Sequence, residues 1–280
     1  MTRPSVRGLF LVFHLKSSPK IMGILNLTPD SFVESSRAHT LSQAKSAIEK
    51  MLAEGADIID IGAESTRPGA ELISANEERD RLMPILDWIK DQSIPFSIDT
   101  QKPEVMLAAL PYKPAMINDV NGFRSEGTLS AIANTSLDIC IMHMQNNPET
   151  MQDNPTYSDV IAEVRAFFEE RLSACKALGI DKSRILLDPG FGFGKTLQHN
   201  IKMLQSLNSF TDLGCRLLVG MSRKTMIGAM LNKPVDERLY GSLTAHTVAL
   251  LQGADVVRTH DVLATKDALT VLQALRQEIG

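Results

Sequence analysis

The stretch Ile185-Leu-Leu-Asp-Pro189, followed by Gly190-Phe-Gly-Phe-Gly-Lys195-Thr196, shows how this chain is built. A short apolar run typical of a buried strand ends at a polar side chain, Asp188, and a loop of small residues follows. The same order recurs along the chain: an apolar run, a polar cluster, and then an amphipathic helical pattern. This repetition is typical of βα units.

Eight apolar runs are predicted as strands. Most are continuously apolar rather than alternating, as expected for parallel strands that helices cover. They are Ile21–Leu27, Ala56–Gly62, Pro95–Thr100, Pro114–Asp119, Asp138–Met144, Ile185–Pro189, Arg216–Met221 and Asp255–Thr259. Apolar residues at helical spacing predict helices between them. These cover Ser42–Glu54, Glu77–Lys90, Asp159–Leu178, Leu243–Leu251 and Leu263–Ile279.

Eight βα units in 280 residues fit a (β/α)8 TIM barrel. A doubly wound open sheet is the alternative, and the number of strands does not exclude it. The polar residues favour the barrel, because barrel strands end around one opening whereas an open sheet spreads them along a line. We therefore predict an active site at the carboxyl ends of the barrel strands. The polar residues there are Asn26, Glu64, Asp99, Asn118, Asp119, His143, Asp188, Ser222, Arg258 and His260.

Composition excludes several classes of protein. A net charge of −4 with 44% hydrophobic residues is untypical of a disordered chain and gives no basic face for nucleic acid. No run approaches the roughly 18 apolar residues of a membrane span. Leu9–Leu15 lacks a signal-peptide cleavage site after it. Three scattered cysteines are typical of a reducing compartment, so we expect a cytoplasmic protein with no nucleic-acid or membrane partner.

The glycines from Gly190 to Gly194 invite comparison with a phosphate-binding loop, but their spacing does not fit. That pattern needs four residues between its first glycine and the Gly-Lys pair, and the required position is Pro189. A dinucleotide pattern fails as well, because its third glycine would be Lys195. We expect these glycines to let the backbone turn tightly and approach a flat ligand.

Three hydrogen-bonding side chains at the predicted mouth indicate a class of ligand. Asp99, Asn118 and Asp188 follow different strands, and each alone is as well explained by capping a helix. Together they favour a nitrogen-rich heterocycle, whose ring NH and amino groups need carboxylate and amide acceptors.

Cationic side chains at the same mouth indicate an anion. Arg67, in the loop Glu64–Ala70, is predicted either to clamp an anion or to lie on a plain connection. Lys224, near a predicted helix start, suits a carboxylate or phosphate, or a Schiff base. Arg258 and His260 follow the last strand, where barrels commonly hold phosphate. His143 is expected to be structural.

Eight segments, taken in order, resemble one known family. They are Met22–Phe32, Ile61–Ala70, Ser97–Thr100, Ile117–Val120, Met142–Gln145, Asp188–Thr196, Ser222–Lys224 and Arg258–Val262. From about Ile21 to the C-terminus, the chain resembles the dihydropteroate synthases. No single segment is specific, whereas the set is.

The resemblance implies a transferase with a (β/α)8 fold. It would join 6-hydroxymethyl-7,8-dihydropterin pyrophosphate to p-aminobenzoate, giving 7,8-dihydropteroate and pyrophosphate in folate synthesis. The resemblance also implies Mg²⁺ as cofactor, a homodimer, and competition by sulfonamides for the p-aminobenzoate pocket.

The resemblance also implies roles for residues at matching positions. Pterin would be bound by Asp99, Asn118, Met142, Asp188 and Lys224. Pyrophosphate would be bound by Asn26, Thr66, Arg67, Arg258 and His260, with Asn26 also on the metal. The p-aminobenzoate pocket would comprise Thr66, Arg67, Pro68, Phe193, Lys224 and Thr225. The catalytic residues would be Asp99, Asp188, Lys224, Arg258 and His260.

One segment departs from the family pattern. After Phe32 the family usually continues Ser-Asp-Gly-Gly, whereas this chain reads Val33-Glu34-Ser35-Ser36, so we expect a less flexible loop. Two alternatives to a synthase are the pterin-binding domain of a corrinoid methyltransferase and a catalytically degenerate pterin-binding barrel. We expect residues 1–20 to extend a single domain formed by residues 21–280.

Overall fold

The computed structural model describes residues 18–28, 37–65, 72–146 and 150–279. Eight parallel strands pair in chain order, and the last pairs with the first to close a barrel. Closure excludes the open sheet and confirms the predicted (β/α)8 fold. The strands are β1 (Lys20–Asn26), β2 (Ile58–Gly62), β3 (Phe96–Asp99), β4 (Met116–Asp119), β5 (Asp138–Met142), β6 (Ile185–Asp188), β7 (Arg216–Val219) and β8 (Val256–Thr259).

Helices connect the strands on the outside of the barrel. All five predicted helices are present, and the first begins at Arg37, five residues before the predicted start. Four short helices were not predicted, because six to nine residues give too few turns for a clear helical period. The helices are α1 (Arg37–Ala53), α2 (Ala75–Ile89), α3 (Pro103–Ala109), α4 (Thr128–Ala133), α5 (Val160–Ala177), α6 (Leu197–Gln205), α7 (Thr225–Leu231), α8 (Leu239–Leu251) and α9 (Val262–Ile279).

Local sequence determines where several helices start. Ser74 accepts a hydrogen bond from the Glu77 amide at the start of α2, and Asp159 caps α5 in the same way. Thr196 and His199 form a reciprocal capping box that begins α6. These caps satisfy backbone amides that the first helical turn leaves free.

The inside of the barrel has an apolar layer with a polar layer next to it. Met22, Ile58, Met116, Cys140, Leu186, Leu218 and Val256 pack together as one cluster. Because side chains alternate along a strand, the residues two positions further face the same interior, nearer the carboxyl ends. These positions carry Asp60, Asn118, Met142, Asp188 and Arg258. The fold thus gathers polar groups from four strands, with Met142 beside them, above an apolar floor.

The alternate strand residues face outward and form the main core with the helices. Ile59, Ile98 and Ile117 are fully buried there together with Leu82 and Leu86 of α2. All three cysteines, Cys140, Cys175 and Cys215, are buried and unpaired. In the described ranges, no helix is long and apolar enough to cross a membrane.

The predicted domain division stays a prediction. Residues 1–17 lie outside the described ranges, and the barrel itself begins at Lys20.

Candidate active site

The barrel brings the predicted ligand-binding residues of separate strands to one mouth. Asp99, the last residue of β3, pairs in register with Asn118 on β4. Met142 ends β5 and pairs with Asp188, which ends β6. Asn26 ends β1. Asn118 and Asp188 are each only 5% exposed, so they lie at the bottom of the mouth.

Arg258 is held by two carboxylates across the barrel. Its Nε donates to Asp60 Oδ2 at 2.6 Å, and its Nη2 donates to Asp99 Oδ2 at 2.9 Å. Burial alone would lower the pKa of Arg258, but the charges of Asp60 and Asp99 outweigh it and raise that pKa above its ordinary value. Arg258 therefore keeps its charge inside the barrel.

Asp60 is a site residue that the sequence analysis missed. It is fully buried in β2 and also accepts hydrogen bonds from Ser97 Oγ at 2.5 Å and Asn118 Nδ2 at 3.2 Å. The signal in the sequence is a single carboxylate inside the apolar run Ile58-Ile-Asp-Ile61. A charge in a buried strand requires partners, and the barrel supplies three.

Burial raises the pKa of both carboxyl groups that are proposed to bind the ligand. For Asp99, burial and the neighbouring Asp60 charge raise the pKa to about 8, although Arg258 opposes this. For Asp188, burial also raises the pKa, while Lys224, Arg258 and Lys195 oppose the shift. Asp188 Oδ1 accepts a hydrogen bond from the Gly190 amide at 2.8 Å. Both groups thus lie in a poorly solvated pocket whose charges are nearly balanced.

Lys224 lies between the Asp188 pocket and an aromatic ring. Its Nζ donates to the Phe191 carbonyl at 2.6 Å and lies 4.4 Å from the centre of the Phe193 ring. Burial lowers the pKa of Lys224 to about 8, and the Asp188 charge limits the change. Thr225, the next residue, is exposed at the first position of α7.

The glycine-rich turn after β6 does not form a phosphate loop. Gly190 has φ +68°, and a Cβ there would lie 1.9 Å from the His143 carbonyl oxygen. Lys195 is buried and donates to His143 Nδ1 at 2.9 Å and to the Phe193 carbonyl at 2.9 Å. An ammonium only donates, so neutral His143 accepts at Nδ1. Burial, followed by the Lys195 charge, lowers the pKa of His143 to about 2, in keeping with the structural role expected for it.

His260 lies at the rim, beyond the end of β8. Its backbone amide donates to Ser222 Oγ at 3.1 Å, and its Nδ1 lies 3.0 Å from the same oxygen. Ser222 follows β7, so this hydroxyl joins two neighbouring loops at the mouth.

Glu64 lies in a buried ion-pair cluster next to the mouth. Lys102 Nζ donates to Glu64 Oε1 and Glu78 Oε2, each at 2.6 Å. Glu64 Oε1 also accepts from the Ile73 amide at 3.0 Å, which links two points nine residues apart. The cluster therefore joins Glu64, after β2, to the backbone at Ile73, before α2.

Several predicted residues lie outside the described ranges. They are Thr66, Arg67, Pro68 and the departing segment Val33–Ser36. Among the described residues, no group of three or more His, Cys, Asp or Glu side chains could hold a metal ion. Asn26 contributes one neutral amide oxygen, a donor that suits Mg²⁺ when phosphates and water supply the other ligands.

Comparison with known proteins identifies close similarities. Residues 22–260 match the family described as "Pterin binding enzyme". A dihydropteroate synthase from Haemophilus influenzae is 46% identical over 92% of this chain and 94% of its own length.

Solved structures agree in fold over nearly the whole chain. The Yersinia pestis dihydropteroate synthase in a sulfonamide complex has a TM-score of 0.88 and 42% identity, covering 93% of this chain and 95% of that one. The Xanthomonas albilineans enzyme in complex with 7,8-dihydropteroate has a TM-score of 0.82 and 39% identity, covering 93% and 94%.

Proposed function

The chain belongs to the pterin-binding enzymes and, among them, to the dihydropteroate synthases, and from this premise we propose how its own side chains serve that activity. It condenses 6-hydroxymethyl-7,8-dihydropterin pyrophosphate with p-aminobenzoate to give 7,8-dihydropteroate and pyrophosphate in folate synthesis. These roles rest on one observation: Asp99, Asn118 and Asp188 converge in the polar layer above the apolar barrel floor.

The pterin ring is bound by the buried end of the pocket. Asp188 accepts hydrogen bonds from one edge of the ring, and Asn118 accepts and donates there. Asp99 accepts from a second edge of the ring. Lys224 contributes an ammonium close to Asp188, and Met142 lies beside Val120 and Met144 as an apolar wall. A flat, nitrogen-rich ring satisfies these groups, which water alone would have to satisfy otherwise.

The pyrophosphate lies nearer the rim. Arg258 and His260 bind its oxygens, with Thr66 and Arg67 from the loop after β2 and Asn26 from β1. Asn26 would also hold Mg²⁺ jointly with the phosphate oxygens, because Mg²⁺ is commonly bound by one or two protein ligands plus substrate phosphates. When bound, the metal neutralises charge on the leaving group.

The p-aminobenzoate pocket adjoins Lys224. Phe193 and Pro68 contact the aryl ring, while Lys224, Thr225, Thr66 and Arg67 surround its polar ends. Because Lys224 Nζ lies over the Phe193 ring, one cation borders both substrates. Sulfonamides are arylamines of similar shape, so we propose that they compete at this pocket.

The reaction is a transfer of the pterin methylene group. The C–O bond to pyrophosphate breaks, and the electron pair leaves with the phosphate. The arylamine lone pair forms the new C–N bond, and the nitrogen then loses one proton to solvent or phosphate. An arylamine is neutral near pH 7, so no strong base is needed. Asp99 and Asp188 stabilise positive charge on the pterin in the transition state more than in the ground state.

One assay tests the proposal. The purified chain is incubated with the pterin pyrophosphate, p-aminobenzoate and Mg²⁺, and pyrophosphate and dihydropteroate are measured together. We expect both products in equal amounts, and loss of both when EDTA exceeds Mg²⁺. Binding without turnover would favour the degenerate barrel. A methyltransferase domain would likewise bind pterin without turnover here, and it would transfer a methyl group only when a methylated pterin and a corrinoid acceptor are added.

A homodimer is proposed from an apolar surface. Met230, Leu231, Val235 and Tyr240 are exposed along α7, the following turn and the start of α8, with Tyr240 77% exposed. Large apolar side chains exposed on two adjoining helices are a candidate interface. Sedimentation should give twice the mass of 30.8 kDa, and Leu231→Glu should give a monomer. We place the protein in the cytoplasm, because its three cysteines are unpaired.

A further inference from the structure

Asp60 and Asp99 contact the same guanidinium from very different environments. Asp60 is 0% exposed and lies in the middle of β2, whereas the Asp99 side chain is 10% exposed and lies at the end of β3. A ligand entering the mouth reaches Asp99 first. Asp60 has no access to it and therefore serves the site only through its neighbours.

The guanidinium of Arg258 has two edges that can bind oxygen atoms, and they have different partners. Nε and Nη2 lie on one edge, and both are used by the carboxylates of Asp60 and Asp99. Nη1 has no hydrogen-bond partner within the described ranges. The edge formed by Nη1 and Nη2 is the one that binds two oxygens of a phosphate in parallel.

A bound ligand can reach only one of the two carboxylates that hold Arg258. The roles proposed above require Asp99 to accept from the pterin ring, and its bond to Arg258 Nη2 uses only Oδ2. No ligand group reaches Asp60, whose other partners, Ser97 Oγ and Asn118 Nδ2, are neutral side chains of the barrel wall. Asp60 thus remains as the lasting counter-charge of Arg258.

We propose that Asp60 is a positioning residue, which anchors Arg258 through Nε so that its Nη1–Nη2 edge is presented to the pyrophosphate while Asp99 also serves the pterin. This inference rests on the phosphate role proposed for Arg258. It accounts for a charged residue inside an apolar strand, where an unpaired carboxylate is strongly unfavourable.

Asp60→Asn in the full chain is the central test. Asparagine keeps the size of the side chain and one acceptor oxygen for Ser97, but it removes the charge that anchors Arg258. The affinity for inorganic pyrophosphate in Mg²⁺ buffer, measured by calorimetry, should fall about 10- to 100-fold, less than for direct loss of a buried charge pair, because Asp60 acts only through Arg258. The affinity for 6-hydroxymethylpterin, which has no phosphate, should fall less than about threefold, well short of one charge pair.

Ser97→Ala is the matched control. It removes another partner of Asp60 from the same buried place without changing any charge, so both affinities should stay within about fivefold of wild type, the usual effect of one neutral hydrogen bond. Equal losses of pyrophosphate and pterin affinity in Asp60→Asn would indicate a structural role and overturn the proposal.

Arg258 variants separate this inference from the function on which it rests. Asp60→Asn combined with Arg258→Ala should lose no more pyrophosphate affinity than Arg258→Ala alone, and additive losses would overturn the proposal. Unchanged affinity in Arg258→Ala would contradict the phosphate role of Arg258 itself. If Asp60→Asn does not fold, Arg258→Lys provides the test, since lysine keeps the charge but lacks the second edge. Arg258→Lys should lose pyrophosphate affinity by about the amount expected for Asp60→Asn. Wild-type pyrophosphate affinity in Arg258→Lys would overturn the proposal.

Discussion

Arg223 and Asp261 form a two-point ion pair across the mouth of the barrel, with Nε 3.0 Å from Oδ2 and Nη2 2.5 Å from Oδ1. Arg223 lies between Ser222 and Lys224 after β7, and Asp261 follows His260 after β8. The pair therefore fixes the distance between the loops of two proposed ligand-binding cations. The Arg223 amide also donates to Ser242 Oγ at 2.9 Å, which anchors this loop on α8.

Breaking that pair should reduce activity without unfolding the protein. Asp261→Asn is expected to lower kcat/KM for the pterin pyrophosphate about tenfold, because misplacing a binding group by a fraction of an ångström is costly. Asp138→Asn is the matched control, since Asp138 pairs with Arg216 at 2.8 Å where β5 and β7 begin, at the opposite end of the barrel. Equal effects of the two substitutions would contradict a role for the Arg223–Asp261 pair.

Asp188→Asn should leave the fold intact and lower kcat by roughly 10²–10³, as for loss of one preorganised electrostatic partner. The asparagine oxygen can still accept from the Gly190 amide, so the turn after β6 is retained. Asp181→Asn, which also accepts from a backbone amide but is exposed, should leave kcat unchanged. Near wild-type turnover of Asp188→Asn would remove Asp188 from the catalytic residues.

The pH dependence of kcat/KM should show the lowered pKa of Lys224. With a pKa of about 8, Lys224 is charged below that pH and loses its proton above it, so activity should decline as the pH rises through about 8. In Lys224→Arg the side chain stays charged, because guanidinium pKa values exceed about 12. The decline in kcat/KM should therefore move above about pH 10, and the maximal kcat/KM should be lower than in the wild type. A decline that stays near pH 8 would belong to another group.

Acid should destabilise the protein through His246 of α8. This histidine is 1% exposed, and neither ring nitrogen has a hydrogen-bond partner among the described residues. Burial lowers its pKa from 6.5 to about 4, so between these values the unfolded chain binds a proton that the folded chain does not. Stability is therefore lost as the pH falls through this range, by about 2 kcal/mol at pH 5.

His246→Leu should abolish this part of the pH dependence. Urea unfolding at pH 7.5 and pH 5 gives the difference in unfolding free energy for each protein. The difference should be about 2 kcal/mol smaller in the variant. Equal differences in the two proteins would show that His246 is not the group that acid protonates.

Lys102→Met should destabilise the fold by about 3 kcal/mol, because it leaves two buried carboxylates facing each other without a cation. Glu78 is fully buried, and burial already raises its pKa. Adding Glu78→Gln should therefore restore part of the loss in urea unfolding. Lys90→Met, which breaks an exposed pair with Asp87, should leave stability nearly unchanged. A similar small change for Lys102→Met would contradict the cluster's structural role.

The barrel was predictable because its strands obey a simple rule. Covered parallel strands read as continuous apolar runs, and polar residues stand where those runs end, as at Asp99 and Asp188. Strand boundaries differ from prediction by a few residues, since residues such as Pro95 and Thr100 lie just beyond the ladder. Helix α7 escaped prediction because seven residues give less than two turns of pattern.

The site was predictable only as a set of residues at strand ends. The pairing of Arg258 with Asp60 joins positions 198 residues apart, and no local pattern encodes which of three carboxylates a guanidinium will bind. The closing of the barrel brings β8 next to β1 and its inner side chains across to β2. That contact is a property of the packed interior, which sequence spacing does not contain.

Because all three thiols are buried, the rate at which each reacts with a reagent measures how often the structure around it opens. Burial raises the pKa of Cys140 well above its ordinary value and that of Cys175 to about 11, and it also raises that of Cys215. Alkylating reagents attack thiolates, so they modify the folded chain slowly and the opened chain fast. Cys140 lies inside the barrel floor and Cys175 lies on the buried face of α5, so the rates at the two sulfurs distinguish opening of the barrel from loosening of the helical layer.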